Sequence, residues 1–273
     1  ACLGSRLLTG AIAPERAARL TDADGITVAE AITAAGRSAE RFGRDEERLR
    51  GIGCFVELHV EQGKALVDMG APVGIADSIM AHGRWRFSLS GQGNHAGTTQ
   101  MAERHDPMLP AAAAVLAARS AALGVRGSRA TIGRITPIPG GTNVIASGVD
   151  FWLDARACST VDTQEVVAQI TEAVSRAALQ EGCQLAVREE SYGDTVTFDT
   201  SLRDRLAGLL GGVPVLPTGA GHDAGVLAAE VPTAMLFVRN PTGVSHAPGE
   251  YAEPADCAAG SAALARVLRD LAG

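Results

Sequence analysis

Two overlapping stretches, GCFVELHV at 53–60 and ELHVEQG at 57–63, predict how the first part of the chain folds. The first stretch is a short apolar run that contains β-branched and aromatic residues, a pattern typical of a buried strand. Gly63 ends the run, and the sequence that follows predicts a short helix over 64–69. The chain therefore begins its core with a strand that leads into a polar turn and a helix.

His59 lies at the end of this predicted strand, between the carboxylates of Glu57 and Glu61. A histidine in that position suits a metal ligand, with a neighbouring carboxylate to orient the ring. A buried histidine whose ring nitrogens bond to the backbone is the alternative. The motif alone leaves both interpretations open.

The pattern changes at about residue 79, where residues 84–90 begin to alternate polar and apolar side chains. Such alternation predicts a half-exposed strand. The elements predicted from here are strands over 84–90, 130–135, 148–156 and 184–188, with helices over 106–122 and 163–180. Their order, β-α-β-β-α-β, is that of a ferredoxin-like unit.

Helices and strands of a different kind flank this unit. Polar helices are predicted over 14–20 and 28–35, with a break at 22–25 between them. After residue 193 the predicted elements are helices over 201–210 and 256–271, strands over 213–216 and 234–238, and a helix start at 221–224. The predicted architecture is one α/β domain, residues 1–78 and 194–273, interrupted by a separate domain at 79–193.

The composition excludes several classes of partner. The chain of 273 residues has a net charge of -7. Nucleic acids and anionic membranes select basic surfaces, so neither is an expected partner. No apolar run approaches the 18 residues of a transmembrane helix. The five cysteines are scattered and form no CxxC pair, which favours a reduced, cytoplasmic protein.

Further polar residues lie in loops or at strand ends, where ligand-binding groups concentrate. His246 is in a Gly- and Pro-rich loop after a predicted buried strand, and His95 lies in a stretch with three glycines, at 91, 93 and 97. Asn143 follows a Gly-Gly-Thr turn, and Arg156 ends a strand, where its guanidinium could hold a carboxylate. The alternatives are a surface-loop histidine for His246, an ordinary turn residue for Asn143 and a solvated strand-end charge for Arg156. His222, at a predicted helix start, has two interpretations: an imidazole that Asp223 orients, or an incidental histidine beside a helix-capping Asp223, which is favoured.

Six motifs in order resemble one family, and they cover nearly the whole chain. They are ELHVEQG at 57–63, GQGNHAGTT at 91–99, GGTN at 140–143, DAR at 154–156, GAGHDAG at 219–225 and GVSHAPGE at 243–250. Together they resemble M20-type amidohydrolases, in particular the hydantoinase/carbamoylase branch of allantoate amidohydrolases and N-carbamoyl-L-amino acid hydrolases. The resemblance implies a di-metal, peptidase-like α/β catalytic domain, here partial, with an inserted ferredoxin-like α+β dimerisation (lid) domain.

The resemblance also implies roles for five residues. His59 and His246 correspond to metal ligands, and His95 to the lid histidine that polarises the scissile carbonyl, in relatives often delivered from the partner subunit. Asn143 and Arg156 correspond to substrate-binding residues, with Arg156 on the substrate carboxylate. The expected cofactor is a divalent metal, two ions in intact relatives (Mn²⁺, Zn²⁺, Co²⁺ or Ni²⁺), and a homodimer is expected.

The implied activity is that of a metal-dependent amidohydrolase, which cleaves the non-peptide C–N bond of a linear ureido acid such as allantoate or an N-carbamoyl-L-amino acid. The His-x-Asp and Glu-Glu motifs of the family do not occur here, and Glu46-Glu47 is a solvated helical face rather than a substitute. An N-terminally truncated chain with impaired activity is therefore expected. A non-catalytic carboxylate-binding remnant and an aminoacylase or dipeptidase of the same clan are the alternatives.

Overall fold

A computed structural model describes residues 2–22 and 24–273 of the chain. The chain forms two compact units. The first runs up to residue 79 and resumes at 196–273, and the second is Met80–Thr195. Ala1, and Ala23 in the predicted break at 22–25, lie outside the described residues.

The chain contains both strands and α-helices, numbered here in chain order. The strands are β1 (Phe55–Val60), β2 (Val73–Ile79), β3 (Ala81–Ser90), β4 (Asn94–His95), β5 (Arg129–Ile138), β6 (Val144–Ile145), β7 (Gly148–Ala157), β8 (Gln184–Gly193), β9 (Val196–Thr197), β10 (Val215–Thr218) and β11 (Thr233–Val238). The α-helices are α1 (Leu3–Leu8), α2 (Pro14–Ala18), α3 (Val28–Ala34), α4 (Glu46–Arg50), α5 (Ala65–Asp68), α6 (Met108–Gly124), α7 (Thr160–Gln180), α8 (Thr200–Leu209), α9 (Asp223–Leu227) and α10 (Pro254–Ala272).

The first unit is built on a mixed sheet with strand order β1-β11-β2-β10, and β9 pairs with β2. β1 runs parallel to β11, and β10 runs parallel to β2. Every residue of β11 is buried, because apolar side chains cover both faces of this central strand. Near-continuous apolar runs are typical of strands in such a position.

The second unit is an antiparallel sheet of order β5-β7-β3-β8 with α6 and α7 packed on one face. Alternate residues of β3 and β7 point into this core, where the rings of Phe87 and Phe151 stack with centroids 4.8 Å apart. The order and connectivity are those of a ferredoxin-like fold, as the sequence predicts. A small ribbon of β4 and β6 projects from this unit as a separate sheet.

Most elements predicted from the sequence are confirmed, with boundaries that differ by a few residues. The prediction missed β2, a strand in the middle of the first sheet. Its sequence, VGIADSI, follows a Gly-Ala-Pro turn and shows no sustained alternation, because its neighbours bury it on both faces. α6 begins at Met108, one residue after Pro107, and the Asp106 carboxylate accepts the Met108 N–H at 3.0 Å. Among the described residues no helix is both long and apolar enough to cross a membrane.

Candidate active site

Two polar loops of the first unit leave the same edge of its sheet. β1 and β11 are parallel neighbours, with His59 opposite Phe237, so the loops that follow them begin side by side. The first loop contains Gln62 and the second contains His246. Loops beyond the carboxyl ends of parallel strands are the usual place for ligands in α/β proteins.

His59, half-buried at the end of β1, has its tautomer fixed by the backbone. Its Nδ1 lies 2.8 Å from the carbonyl oxygen of Val60. A carbonyl oxygen only accepts hydrogen bonds, so Nδ1 carries a proton, and in the neutral imidazole the Nε2 lone pair is left available. Metal-binding histidines are commonly held in this way by a backbone carbonyl.

The two carboxylates that flank His59 in the sequence do not orient it. Glu57 Oε2 accepts the N–H of Ala224 at 2.7 Å, in the first turn of α9. Glu61, which is buried, accepts the N–H of Ala65 at 2.6 Å at the start of α5. Both are helix caps, where a carboxylate satisfies free backbone N–H groups. The prediction that a carboxylate orients His59 is therefore wrong, and the carbonyl of Val60 orients the ring instead.

His222, interpreted from the sequence as incidental, packs directly against His59. The ring centroids are 4.6 Å apart, and His222 is only 5% exposed. Burial, and then the proximity of His59, lower the pKa of His222 to about 4, so this imidazole is neutral near pH 7. Its Nδ1 lies 3.7 Å from Glu57 Oε1. The motif GAGHDAG was the available signal, because it places a histidine immediately before a helix start.

His246 is held in a loop by a network around Gln62. Both residues adopt left-handed backbone conformations, with φ of 55° and 58°. The amide of Gln62 donates to Ser245 Oγ at 2.9 Å and lies 3.4 Å from His246 Nε2. Glu250 accepts the His246 N–H at 3.0 Å and the Ser245 hydroxyl at 3.1 Å. Left-handed backbone at non-glycine residues is uncommon and concentrates at functional sites.

Asn240, which is fully buried, shapes the start of this loop. Its Nδ2 donates to the carbonyl of Val244 at 2.9 Å. Its Oδ1 accepts from the Thr242 N–H at 3.1 Å and the Gly243 N–H at 3.0 Å. A single amide side chain therefore satisfies three backbone groups of the turn that precedes His246. No pattern in the sequence singled out this residue.

The donor chemistry of these loops fits a divalent metal ion, but the number of donors does not. His59 presents a free imidazole lone pair. However, within residues 2–22 and 24–273 no three histidine, cysteine or acidic side chains are grouped to hold a metal ion. Zinc sites in proteins use three or four side-chain ligands. The described residues do not make a complete metal centre by themselves.

The second unit brings His95 and Asn143 together. In the β4–β6 ribbon, His95 lies opposite Val144, the residue after Asn143. The Asn143 carbonyl accepts the N–H of Ala96 at 2.9 Å. Both residues are exposed. Two residues that are 48 positions apart in the sequence thus become neighbours, because the ribbon pairs the loops that contain GQGNHAGTT and GGTN.

His95 is held in the tautomer opposite to that of His59. The backbone N–H of Gly97 donates to His95 Nδ1 at 3.1 Å. In a neutral imidazole the other nitrogen, Nε2, then carries the proton. His95 therefore offers a hydrogen-bond donor, whereas His59 offers a lone pair.

Arg156 lies on the face of the second sheet that points away from the helices. Asp154 binds it through two hydrogen bonds, Nε to Oδ1 at 2.7 Å and Nη2 to Oδ2 at 2.9 Å. These bonds raise the pKa of Arg156. Burial raises the pKa of Asp154, but the bonds from Arg156 and Arg84 outweigh it, and the pKa is lowered overall. The guanidinium is partly buried and remains charged.

Within this unit Arg156 does not share a site with His95 and Asn143. Gly148 opens β7 close to the ribbon, and Arg156 lies eight residues further along the strand. At roughly 3.4 Å per residue, the two ends of that segment are about 27 Å apart. The family resemblance implies that these residues act on one substrate, with the histidine often delivered from the partner subunit, and one copy of this domain does not bring them together.

Known proteins of similar sequence and structure identify the family. Residues 25–270 match the family described as Peptidase family M20/M25/M40. The chain is 34% identical over 274 residues to an N-carbamoyl-L-amino acid amidohydrolase of Geobacillus stearothermophilus, covering 99% of this chain and 67% of that protein. It is 32% identical over 275 residues to an allantoate amidohydrolase of Bacillus subtilis (strain 168), covering 98% and 66%.

A crystal structure of a hydantoinase/carbamoylase family amidase from Burkholderia ambifaria superimposes with a TM-score of 0.83 at 30% identity. The match covers 100% of this chain and 66% of that one. The chain thus spans about two thirds of the length of the relatives it matches. The resemblance drawn from six motifs is confirmed by both sequence and structure: the chain belongs to peptidase family M20/M25/M40, a family that uses divalent metal ions, and within it to the hydantoinase/carbamoylase amidohydrolases.

Proposed function

We propose that this protein hydrolyses the ureido C–N bond of a small carboxylate, either an N-carbamoyl-L-amino acid or allantoate. The observation that carries the proposal is the pair of opposite tautomers, a lone pair on His59 Nε2 and a proton on His95 Nε2. Hydrolysis of a ureido group needs both an electron-pair donor site for a metal ion and a hydrogen-bond donor for the carbonyl oxygen.

In this reaction, water adds to the ureido carbonyl carbon, and the bond from that carbon to the terminal nitrogen breaks, so that ammonia leaves. The carbamic acid that remains loses CO₂ and gives the free amine. The negative charge that develops on the carbonyl oxygen is stabilised by the Nε2–H of His95, with Asn143 beside it. Arg156 binds the substrate carboxylate, because a guanidinium matches its planar, two-oxygen geometry. Relatives named for N-carbamoyl amino acids and for allantoate support both substrates equally.

We further propose that His59 and His246 each contribute one ligand to a divalent metal ion (Mn²⁺, Zn²⁺, Co²⁺ or Ni²⁺), two ions being the expected number. The loop that follows the strand of His59 is joined to the loop of His246 through Gln62. Titration calorimetry with Mn²⁺ is the test. His59→Gln and His246→Gln should each weaken binding, whereas His105→Gln in the other unit should not. Equal affinity in all four proteins would exclude both residues as ligands.

A homodimer through the second unit is part of the proposal. Three exposed leucines of α6, Leu109, Leu116 and Leu123, recur every seven residues and therefore form one stripe on the helix, exposed by 48%, 72% and 73%. Beside α6, β5 is the edge strand of the sheet. A second copy that covers this surface could supply its His95 and Asn143 to a site that uses Arg156 of the first copy. That arrangement would account for their separation within one domain.

Light scattering tests the dimer. The wild-type protein should be dimeric at micromolar concentration, and Leu116→Lys should dissociate it. Leu179→Lys is the matched control, because Leu179 is 81% exposed but lies on α7. A monomeric wild-type protein, or equal effects of the two substitutions, would contradict the proposed surface.

Ammonia release from a substrate panel tests the reaction. Allantoate and N-carbamoyl-L-amino acids should release ammonia in the presence of Mn²⁺, and N-acetyl amino acids should release no acetate. His95→Ala should lower kcat by about 10²–10³-fold, the usual cost of one lost oxyanion donor. His95→Gln keeps an N–H donor and should retain more activity. His105→Ala, in the same unit, is the control and should leave kcat unchanged.

A second candidate is a non-catalytic protein that binds a small carboxylate through Arg156. It is favoured by the absence of a three-ligand metal group among the described residues. Binding of the panel without ammonia release under every metal condition would select this candidate. Preferred release of acetate or of amino acids from dipeptides would select an aminoacylase or dipeptidase instead. The cytoplasmic location remains a prediction, and it agrees with the five free cysteines.

A further inference from the structure

Asp154 and Arg156 lie two residues apart on β7, so both side chains project from the face of the sheet that points away from the helices. The Asp154 carboxylate accepts two bonds from one edge of the guanidinium, from Nε at 2.7 Å and from Nη2 at 2.9 Å. A two-bond pair of this kind fixes the plane of the guanidinium as well as its position. The third nitrogen, Nη1, is therefore turned away from Asp154.

Two further arginines flank this pair on the neighbouring strands. Arg84 of β3 lies opposite Asp154 and donates to it from Nε at 3.4 Å. Arg129 of β5 lies opposite Arg156. Like charges at directly opposite positions of two strands repel each other. Asp154 is the one carboxylate among these four side chains, so it holds the guanidinium of Arg156 in place against that repulsion.

The pair is partly shielded from water, which strengthens its effect. The side chains of Arg156 and Asp154 are 28% and 31% exposed, whereas that of Arg84 is 66% exposed. An ion pair with two bonds and little exposure is screened less by solvent and salt than a surface pair. An arginine that is ordered before its ligand arrives loses less conformational freedom on binding. The two bonds to Asp154 supply that order within the folded protein.

We propose that Asp154 is a positioning residue, which holds the guanidinium of Arg156 in the orientation that receives the substrate carboxylate. This inference rests on the proposed function for the role of Arg156. Charge and orientation predict opposite effects for the loss of Asp154. By charge alone, the loss would tighten carboxylate binding, because Asp154 and the substrate carboxylate repel each other. By orientation, the loss weakens binding, because Arg156 then turns away from Arg129 and Arg84.

Asp154→Asn separates these two effects, since asparagine has nearly the same shape but no charge and one acceptor oxygen fewer. The probes are N-carbamoylglycine and its neutral amide, N-carbamoylglycinamide. Calorimetry without added metal ion measures their dissociation constants, so the measurement needs no turnover. The dissociation constant of N-carbamoylglycine should rise about 3- to 10-fold, the loss expected when one arginine must be ordered on binding. That of the amide should change by less than about twofold, because the amide has no carboxylate for Arg156.

Asp150→Asn is the matched control. Asp150 lies on the same strand and the same face, and it accepts a bond from Arg86 at 2.6 Å, so its replacement also removes an Asp–Arg pair. It should leave the binding of N-carbamoylglycine within about twofold. A dissociation constant that is unchanged or lower in Asp154→Asn, or equal rises in Asp154→Asn and Asp150→Asn, would overturn the proposal.

A double-mutant cycle tests whether Asp154 acts through Arg156. Asp154→Asn should have no further effect on carboxylate binding in the Arg156→Gln background, whereas an equal loss in both backgrounds would overturn the proposal. In the ammonia assay, Asp154→Asn should raise KM for N-carbamoylglycine and leave kcat within about twofold. A wild-type protein that binds the amide as tightly as the carboxylate would contradict the proposed role of Arg156 itself. Wild-type selection of the carboxylate that Asp154→Asn does not alter would contradict only the role of Asp154.

Discussion

The imidazole of His222 lies edge-on against that of His59, with ring centroids 4.6 Å apart and planes inclined by 67°. The His222 ring also lies near the ring of Phe237, with centroids 6.4 Å apart. His222 is therefore a packing element behind His59 as well as a polar group. Its neutrality follows from the low pKa of about 4.

Replacing His222 by leucine should destabilise the first unit. Leucine fills a similar volume but cannot bond to Thr218 Oγ1, which lies 3.4 Å from His222 Nε2. We expect the free energy of unfolding to fall by about 1–3 kcal/mol, measured by urea denaturation. His105→Leu is the control, because His105 is exposed, and it should cost less than about 0.5 kcal/mol. Equal losses of unfolding free energy in His222→Leu and His105→Leu would show that the buried contacts of His222 contribute little to stability.

Asn240→Ala should loosen the loop that contains His246. Removing the side chain leaves the Val244 carbonyl and the N–H groups of Thr242 and Gly243 without their partner. We expect a loss of about 2 kcal/mol in unfolding free energy and faster hydrogen exchange at those two amides. Asn143→Ala, at an exposed turn in the other unit, should change stability by less than about 0.5 kcal/mol. Unchanged exchange at residues 242 and 243 would count against a positioning role for Asn240.

Two glycine-to-alanine substitutions in helices should have opposite signs. A methyl group on Gly260 in α10 would overlap Val238 of the central strand, so Gly260→Ala should destabilise by about 1–3 kcal/mol through overpacking. Gly208 in α8 has open space around it, and alanine there should stabilise by about 0.5–1 kcal/mol through helix propensity. Thermal unfolding measures both. A stabilised Gly260→Ala would mean that α10 shifts away from the sheet at little cost.

Asp150 should make the stability of the second unit pH-dependent. Hydrogen bonds from Arg86 and Ser88, both at 2.6 Å, lower the pKa of this carboxyl below its ordinary value of 3.8. The folded state then binds fewer protons than the unfolded state, so the stabilisation is complete above pH 3.8 and is lost as the pH falls through the lower, folded-state pKa.

Unfolding free energies of the wild type and Asp150→Asn, measured from pH 7 down to the acid range, test this expectation. The wild type should be the more stable protein at pH 7, and the two curves should converge once the pH has fallen below the lowered, folded-state pKa of Asp150, since both side chains are then uncharged. A constant difference across the whole range would assign the effect to geometry rather than to charge.

The sequence predicted the elements that bury one face, but not the features that depend on pairing between distant strands. The alternation in β3 and the amphipathic pattern of α7 were readable because each element buries one face. The sequence did not predict β2, because a strand that is buried on both faces shows no alternation of polar and apolar residues. Its partners in the sheet are also distant in sequence. A β-bulge at Glu190 was equally hidden, since it exists only in the pairing of β8 with β3.

The site shows the same division. Motifs such as ELHVEQG and GQGNHAGTT indicated His59 and His95, because short glycine-rich or strand-end contexts are local properties of the sequence. The tautomers of these histidines depend on Val60 and Gly97, which are also local, yet only the backbone conformation decides which nitrogen is bonded. The contact of His222 with His59 joins residues 163 positions apart and could not be derived from either motif.

The family, the order of the elements and the candidate site residues could be inferred from the sequence, because periodicity and short motifs are properties of neighbouring residues. Which of those side chains meet depends on the folded arrangement. In the folded protein His222 packs against His59, and Glu57 and Glu61 cap helices. Arg156 and the ribbon that contains His95 lie near opposite ends of β7. The physical reason is that proximity between distant residues arises from sheet order and register, which depend on packing across the whole domain.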